Sequence, residues 1–331
     1  LFNYFNESKI ELTPFSYKKR NMAMRHKIIF FIISVLLLAG CSSQAPPLKS
    51  NSPDGVAVTD DLGREVNFTH PPQRIVSLDP SVTEILFALG LNKELVGVTD
   101  YCDYPEQARS KSKVGGYINP NIEAIGLLEP DLVVTTLKTN TPLLIQQLED
   151  FGIKVFVLDP KRIENIFENI SSLAKLTYQK EKAEKLLGAL QGKLQEVRKR
   201  VAGISRPGVF MEMGKDPLIS VGPGSFAHDL IEIAGGRNVA SQSSSRYRKY
   251  TLEEIILADP EVIIICSMTP DDPCLAQKRW WKEWTNISAV RNGRIYVIEA
   301  NLLTRPGPRM VAGLVEIASA IHPEVFLEEE R

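Results

Sequence analysis

Residues Ile163–Val201 read IENIFENISSLAKLTYQKEKAEKLLGALQGKLQEVRKRV. Apolar side chains recur at 166, 170, 173, 176, 183, 186, 187, 190, 194, 197 and 201. Steps of mostly three and four mark one face of an α-helix. Lys180, Glu181, Lys182, Glu184 and Lys185 fall on the other face, with Glu181 and Lys185 four apart and able to pair. As one helix this stretch would span on the order of 58 Å, at about 1.5 Å per residue. A helix of that reach can connect two lobes. Gly188 and Gly192 each cost roughly 1 kcal/mol in a helix interior and allow a bend. A break near Tyr178 would give two ordinary helices instead.

Both flanks of this stretch alternate short β-branched runs with helical segments. On the N-terminal side, Arg74–Leu78, Leu95–Thr99, Leu132–Thr136 and Lys154–Leu158 read as strands. Ser81–Leu89, Ile122–Leu128 and Leu143–Phe151 read as helices, and Asp61–Glu65 as a hairpin turn in which Gly63 takes positive φ. After Pro207 the strands are Val209–Met213, Val262–Cys266 and Ile295–Ile298. Helices follow at Phe226–Ala234, Leu252–Ala258, Arg279–Trp284 and Met310–Ile321. Apolar strands alternating with helices imply mostly parallel sheets covered on both faces. The fold class is α/β: two α/β lobes bridged by one long α-helix. The lobes are expected over 58–160 and 204–331, with the bridging helix over 161–203. Such an arrangement leaves a cleft between the lobes, and binding sites concentrate in clefts of that kind.

The N-terminus has a different character. Arg25, His26 and Lys27 precede an almost unbroken apolar run, Ile28–Gly40, which ends Leu38-Ala39-Gly40-Cys41. A basic segment, a short apolar segment and small residues form a secretory signal, and the run is too short to cross a bilayer. Cysteine after Leu-Ala-Gly resembles a bacterial lipobox, so residues 1–40 read as leader and signal peptide and Cys41 as a lipidated N-terminus. Met22 or Met24 reads as the start of translation. Residues 41–57 are polar and Pro-rich, a flexible tether. The protein is therefore expected to be exported and lipid-anchored to the cell envelope, as a monomer.

Formal charge is −1; setting aside the six basic and two acidic residues of the first 40 leaves 33 basic against 38 acidic, or −5, which argues against nucleic acid as a partner. Beyond Cys41 stand three cysteines, an odd number. Cys266 and Cys274 are close enough in sequence to be the expected disulfide, leaving Cys102 reduced.

No GxSxG, GxxxxGK[ST], HExxH or CxxC occurs, and Gly222-Pro223-Gly224 alone is weak support for phosphate binding. His70, His228 and His322 lack metal-ligand spacing. Neither a catalytic residue nor a resident metal or cofactor is expected. The remaining signal is aromatic: Tyr101 and Tyr104 after the second strand, Tyr117 in Val114–Tyr117, and Tyr247 and Tyr250 in an Arg-rich loop, Ser245–Tyr250. Loops at the carboxyl ends of strands form the site in α/β sheets. Aromatic faces suit large apolar or planar ligands at low entropic cost. Trp280, Trp281 and Trp284 could cap the core or reach the cleft.

Several stretches, in this order, resemble a known family: Pro72–Leu78, Tyr101–Pro105, Ile122–Ile125, Glu129–Val133, Ala234–Asn238 and Gly307-Pro308-Arg309. The chain resembles the substrate-binding lipoproteins of ABC transporters that serve vitamin B12 and iron–siderophore uptake. The Asp-Tyr-Pro and Pro-Arg segments are more similar to the cobalamin branch. The resemblance implies a helical-backbone, class III periplasmic binding protein. Its ligand would be cobalamin or a related corrinoid, lined by Tyr101, Tyr117 and Tyr247. Thr136 stands where Trp is frequent, and Asn301 where an Asp can approach the ligand. The resemblance also implies a permease and ATPase complex as partner, docked through Glu123 and Glu253. An iron–siderophore or haem binder of the same fold is the nearest alternative, in which Arg246 and Arg248, with Arg237, Lys249 and Arg305, would pair with an anionic chelate. A cell-envelope enzyme is a remote one.

Overall fold

The computed structural model describes residues 55–137, 141–267 and 272–326. The signal segment, Cys41 and most of the tether lie outside the described residues. The first lobe opens with an antiparallel hairpin, β1 (Val56–Thr59) and β2 (Glu65–Phe68). The buried Asp60 carboxylate shapes its turn, accepting hydrogen bonds from the Leu62 and Arg64 amides at 3.0 and 2.9 Å, and Gly63 takes φ 78°.

The lobe continues as β3 (Ile75–Ser77), α1 (Pro80–Ala88), β4 (Leu95–Val98), β5 (Ser112–Lys113), α2 (Ile122–Leu127), β6 (Leu132–Thr136), α3 (Thr141–Asp150) and β7 (Lys154–Leu158). Five parallel strands lie in the order β5-β4-β3-β6-β7. Strand order reverses between β3 and β6, which opens a crevice at their carboxyl ends. Side chains alternate between two cores. Val76, Val133, Val155 and Val157 pack with α2 and α3, and Ile75, Leu132, Val134 and Phe156 pack on the opposite face.

Two helices follow, α4 (Ile163–Leu176) and α5 (Lys180–Arg200). The single helix expected over 161–203 is therefore broken. At the break Tyr178 takes φ 59°. The Thr177 hydroxyl donates to the Leu173 carbonyl at 2.6 Å, and the Gln179 amide donates back to the Ala174 carbonyl. Tyr178 is pegged to the hairpin: its hydroxyl donates to the Phe68 carbonyl (3.1 Å) and accepts from the Val56 amide (3.3 Å). Apolar periodicity persists through the break because both helices bury a face in one core. The bridging role falls to α5. Its first turn puts Lys182 against Gly90 of the first lobe. Its last turn puts Arg200 over the Phe326 ring of the second, 5.4 Å from the centroid.

The second lobe runs β8 (Gly208–Glu212), β9 (Gly214–Lys215), β10 (Leu218–Val221), α6 (Phe226–Ile233), β11 (Arg237–Asn238), β12 (Tyr247–Tyr250), α7 (Leu252–Ala258) and β13 (Val262–Ser267). It ends with α8 (Asp272–Trp281), α9 (Ser288–Arg291), β14 (Ile295–Glu299), α10 (Ala300–Thr304), α11 (Met310–Ile321) and α12 (Pro323–Phe326). β11-β8-β13-β14 form a parallel sheet, and β12-β10-β9 a small antiparallel one. The three tryptophans cap the core of this lobe: Trp281 is fully buried, 5.9 Å from Phe210 and 4.9 Å from Trp280 between ring centroids. One continuous apolar cluster joins the inner faces of both lobes through α4, α5 and α11.

Candidate functional site

The carboxyl ends of the two parallel sheets are brought together by one arginine-rich segment. Arg305, just past α10, donates to the Asp103 carboxylate at 2.6 Å and to the Tyr101 carbonyl at 3.3 Å. Arg309 donates to both oxygens of Glu84, at 3.0 and 2.7 Å, and Arg305 reaches the same carboxylate at 3.4 Å. Glu84 is buried in α1, so two cations from the second lobe neutralise one carboxylate of the first. Burial acts to raise the Asp103 carboxyl, but the hydrogen bond and charge of Arg305 outweigh it, and its pKa lies below the ordinary value.

This clamp holds the first aromatic loop. Cys102 is buried beneath it as a free thiol, its sulfur 3.1 Å from the Thr83 hydroxyl and 3.2 Å from that of Thr99. Tyr101 and Tyr104, on either side, are turned outward and are 48% and 46% exposed. The Arg309 guanidinium lies over the Tyr104 ring at 3.9 Å. The Asp100 amide bonds the Gly115 carbonyl at 3.0 Å, tying this loop to the next one, which carries the half-buried Tyr117. Gly115 takes φ 88° there. Behind both loops, at the crevice between β3 and β6, the buried Asp79 carboxylate caps α1, accepting from the Ser81 amide (2.8 Å) and the Thr136 hydroxyl (2.5 Å). Thr136 is thus turned inward, part of the floor.

In the second lobe Tyr247 and Tyr250 lie on a strand, not in the expected loop. β12 pairs with β10, and alternation sends Tyr247 and Lys249 to one face and Arg248 and Tyr250 to the other. Tyr250 packs on Phe210 at 6.0 Å. Arg248 lies over Tyr250 at 4.5 Å and pairs with Glu254 at 2.5 Å, so it does not join Tyr247. Tyr247 is 37% exposed. Arg246 lies along Gly224 and is exposed. Asn301 donates to Glu299 at 3.0 Å, and Glu299 stands 3.8 Å from Arg309, which ties Asn301 to the clamp.

The cations expected to converge on an anionic chelate are scattered. Arg237 pairs in register with Gly208, at the amino end of the second sheet. Arg248 faces away, and Arg305 is engaged by Asp103 and Glu84. The expected Cys266–Cys274 pairing is corrected: Cys266 is a free thiol, its sulfur 3.3 Å from that of Met213, while the Cys274 side chain lies outside the described residues. His228 bonds the Asn238 amide at 2.9 Å and His322 stands 3.3 Å from the Gly235 carbonyl, both packing roles. The clamp itself has no local sequence signal, since its partners lie 202 to 225 residues apart.

The family model described as periplasmic binding protein matches residues 75–302. The chain belongs to that family. It is a substrate-binding protein of a transporter acting outside the cytoplasm, not an enzyme. Its two lobes on a helical backbone are the class III arrangement. The chain is 29% identical over 309 residues to the ABC transporter substrate-binding lipoprotein YvrC of Bacillus subtilis, covering 90% of this chain and 96% of that protein. It is similar to the vitamin B12-binding protein BtuF of Vibrio cholerae. That solved structure superposes with a TM-score of 0.68 at 28% identity, over 77% of this chain and 98% of the other. A periplasmic heme binding protein from Pseudomonas aeruginosa superposes at 0.69 with 26% identity, over 77% and 94%.

Proposed function

We propose that this protein captures cobalamin or a related corrinoid between its lobes and delivers it to the permease and ATPase of an ABC importer, from a lipid anchor at Cys41. Three tyrosines, Tyr101 and Tyr247 exposed and Tyr117 half-buried, with few free cations beside them, carry this reading. Tyr101, Tyr117 and Tyr247 offer aromatic surface to a large planar ligand, and Asn301 and Arg246 supply polar contacts at its edge. A corrin ring needs apolar area more than converging charge, and the scattering of Arg237, Arg248 and Arg305 removes most of what an anionic iron chelate would require. Arg246 and Lys249 keep haem as the second reading. Glu123 and Glu253 dock the loaded protein on the permease, where charge complementarity sets register and on-rate.

The test is quenching of intrinsic fluorescence in the chain from residue 42 onward, titrated with cyanocobalamin, a ferric siderophore and haemin in parallel. Saturable quenching by cyanocobalamin alone is expected, weakened about tenfold or more in Tyr101→Ala and Tyr117→Ala, as for an aromatic anchor. Saturation by haemin or the ferric chelate without a cobalamin response overturns the corrinoid assignment.

A further inference from the structure

One element occurs twice in this chain. Residues 121–134 read NIEAIGLLEPDLVV, and residues 251–264 read TLEEIILADPEVII. Each begins with a side-chain cap: Asn121 accepts from the Ala124 amide at 2.9 Å, Thr251 from the Glu254 amide at 3.3 Å. Each forms a short helix, α2 or α7, that ends at an acidic residue of positive φ before proline, Glu129 at 45° and Asp259 at 39°. Each then enters the strand flanking its sheet's point of reversal, β6 or β13.

The two copies share an unusual surface. The second helical residue is Glu in both, Glu123 and Glu253, exposed and without a hydrogen bond or ion pair among the described residues. The caps are supplied by other side chains, so neither glutamate is needed to start its helix. Four residues on, and so on the same helix face, stand Leu127 and Leu257. They are 85% and 88% exposed, more than any other large apolar side chain among the described residues. Single exposed leucines are ordinary. The same leucine beside the same unpaired carboxylate, at the same place in both lobes, is not explained by folding, since both leucines stand almost wholly in solvent.

We propose that Leu127 and Leu257 are paired apolar anchors for the importer's permease, each entering a socket whose rim carries the cation that meets the neighbouring glutamate. The duplication fits a partner built of two equivalent halves, one for each lobe. This rests on the docking role of Glu123 and Glu253 proposed above and adds the apolar half of the contact.

The test uses the full chain and the host's permease–ATPase complex in nanodiscs, titrated by biolayer interferometry at two salt concentrations. Leu127→Ala and Leu257→Ala are each expected to weaken binding about tenfold, at unchanged salt slope. Glu123→Gln and Glu253→Gln are expected to weaken it and flatten the salt dependence. Ligand quenching and thermal midpoint stay at wild-type values in all four, as befits exposed positions. Leucine variants that bind like wild type, while the glutamate variants fail, overturn the anchors and leave the acidic docking intact. Wild-type binding by all four overturns both. Loss in the leucine variants alone supports the anchors and overturns the acidic contact.

Discussion

Glu212 ends β8 at the reversal point of the second sheet, buried, and accepts the Trp281 indole hydrogen. Burial pushes its carboxyl above the ordinary value, and the indole hydrogen bond lowers it without cancelling that shift. An acid whose folded pKa is raised binds its proton more tightly when folded. Its contribution to stability is complete below the unfolded pKa and is lost as pH rises through the folded one. Glu212→Gln keeps a carbonyl acceptor for the indole and removes the ionisation. The variant should match wild type in thermal midpoint at pH 4 and exceed it at pH 7.5, by about 2–4 °C for each kcal/mol relieved. Equal midpoints at pH 7.5 would show that the carboxylate is solvated in the folded state. Asp103 has the opposite sign, because Arg305 stabilises its charged form.

Among the elements, α5 carries a cost that nothing offsets. Gly188 and Gly192 are exposed in its interior, and a Cβ added at either meets nothing within 4 Å. Gly188→Ala and Gly192→Ala should each raise unfolding free energy by about 1 kcal/mol in urea titrations, additively, with ligand affinity unchanged. Destabilisation by either would mean that α5 needs freedom at that position. The amphipathic period of α4 and α5 was legible in Ile163–Val201, as were the seven longer strands of the two parallel sheets, because burial on one or two faces writes a period into the residues. The two-residue edge strands β5 and β11 are too short to carry one. A break near Tyr178 was legible only as the alternative to one long helix, since the hydrogen-bond partners that fix it, Phe68 and Val56, lie 110 and 122 residues away. The same holds at the site. Tyr101 and Tyr117 could be read as loop residues after strands. Local sequence gave no sign that β12 would pair with β10 and send Arg248 away from Tyr247. Nor did it show that Arg305 and Arg309 would cross to Glu84.

At the scale of the molecule, two features resist hinge motion. The apolar cluster passes from Ile75 and Leu86 of the first lobe through Ile170, Leu190 and Leu194 to Leu230 and Ile317 of the second, so wide opening would expose packed surface. The Arg305–Glu84–Arg309 group adds a buried ionic tie whose rupture would strand a carboxylate. Lobes fastened in this way admit small displacements and not a large rotation. X-ray scattering with and without saturating ligand should therefore give radii of gyration that agree within error. Arg309→Ala leaves Glu84 with only the longer contact to Arg305, at 3.4 Å, and should cost about 3 kcal/mol in urea titrations. The same variant should show a ligand-dependent fall in radius of gyration that wild type lacks. A large fall in wild type would mean that the clamp and the shared core do not set the distance between the lobes. Ligand would then enter by domain closure instead of settling into a cleft already formed.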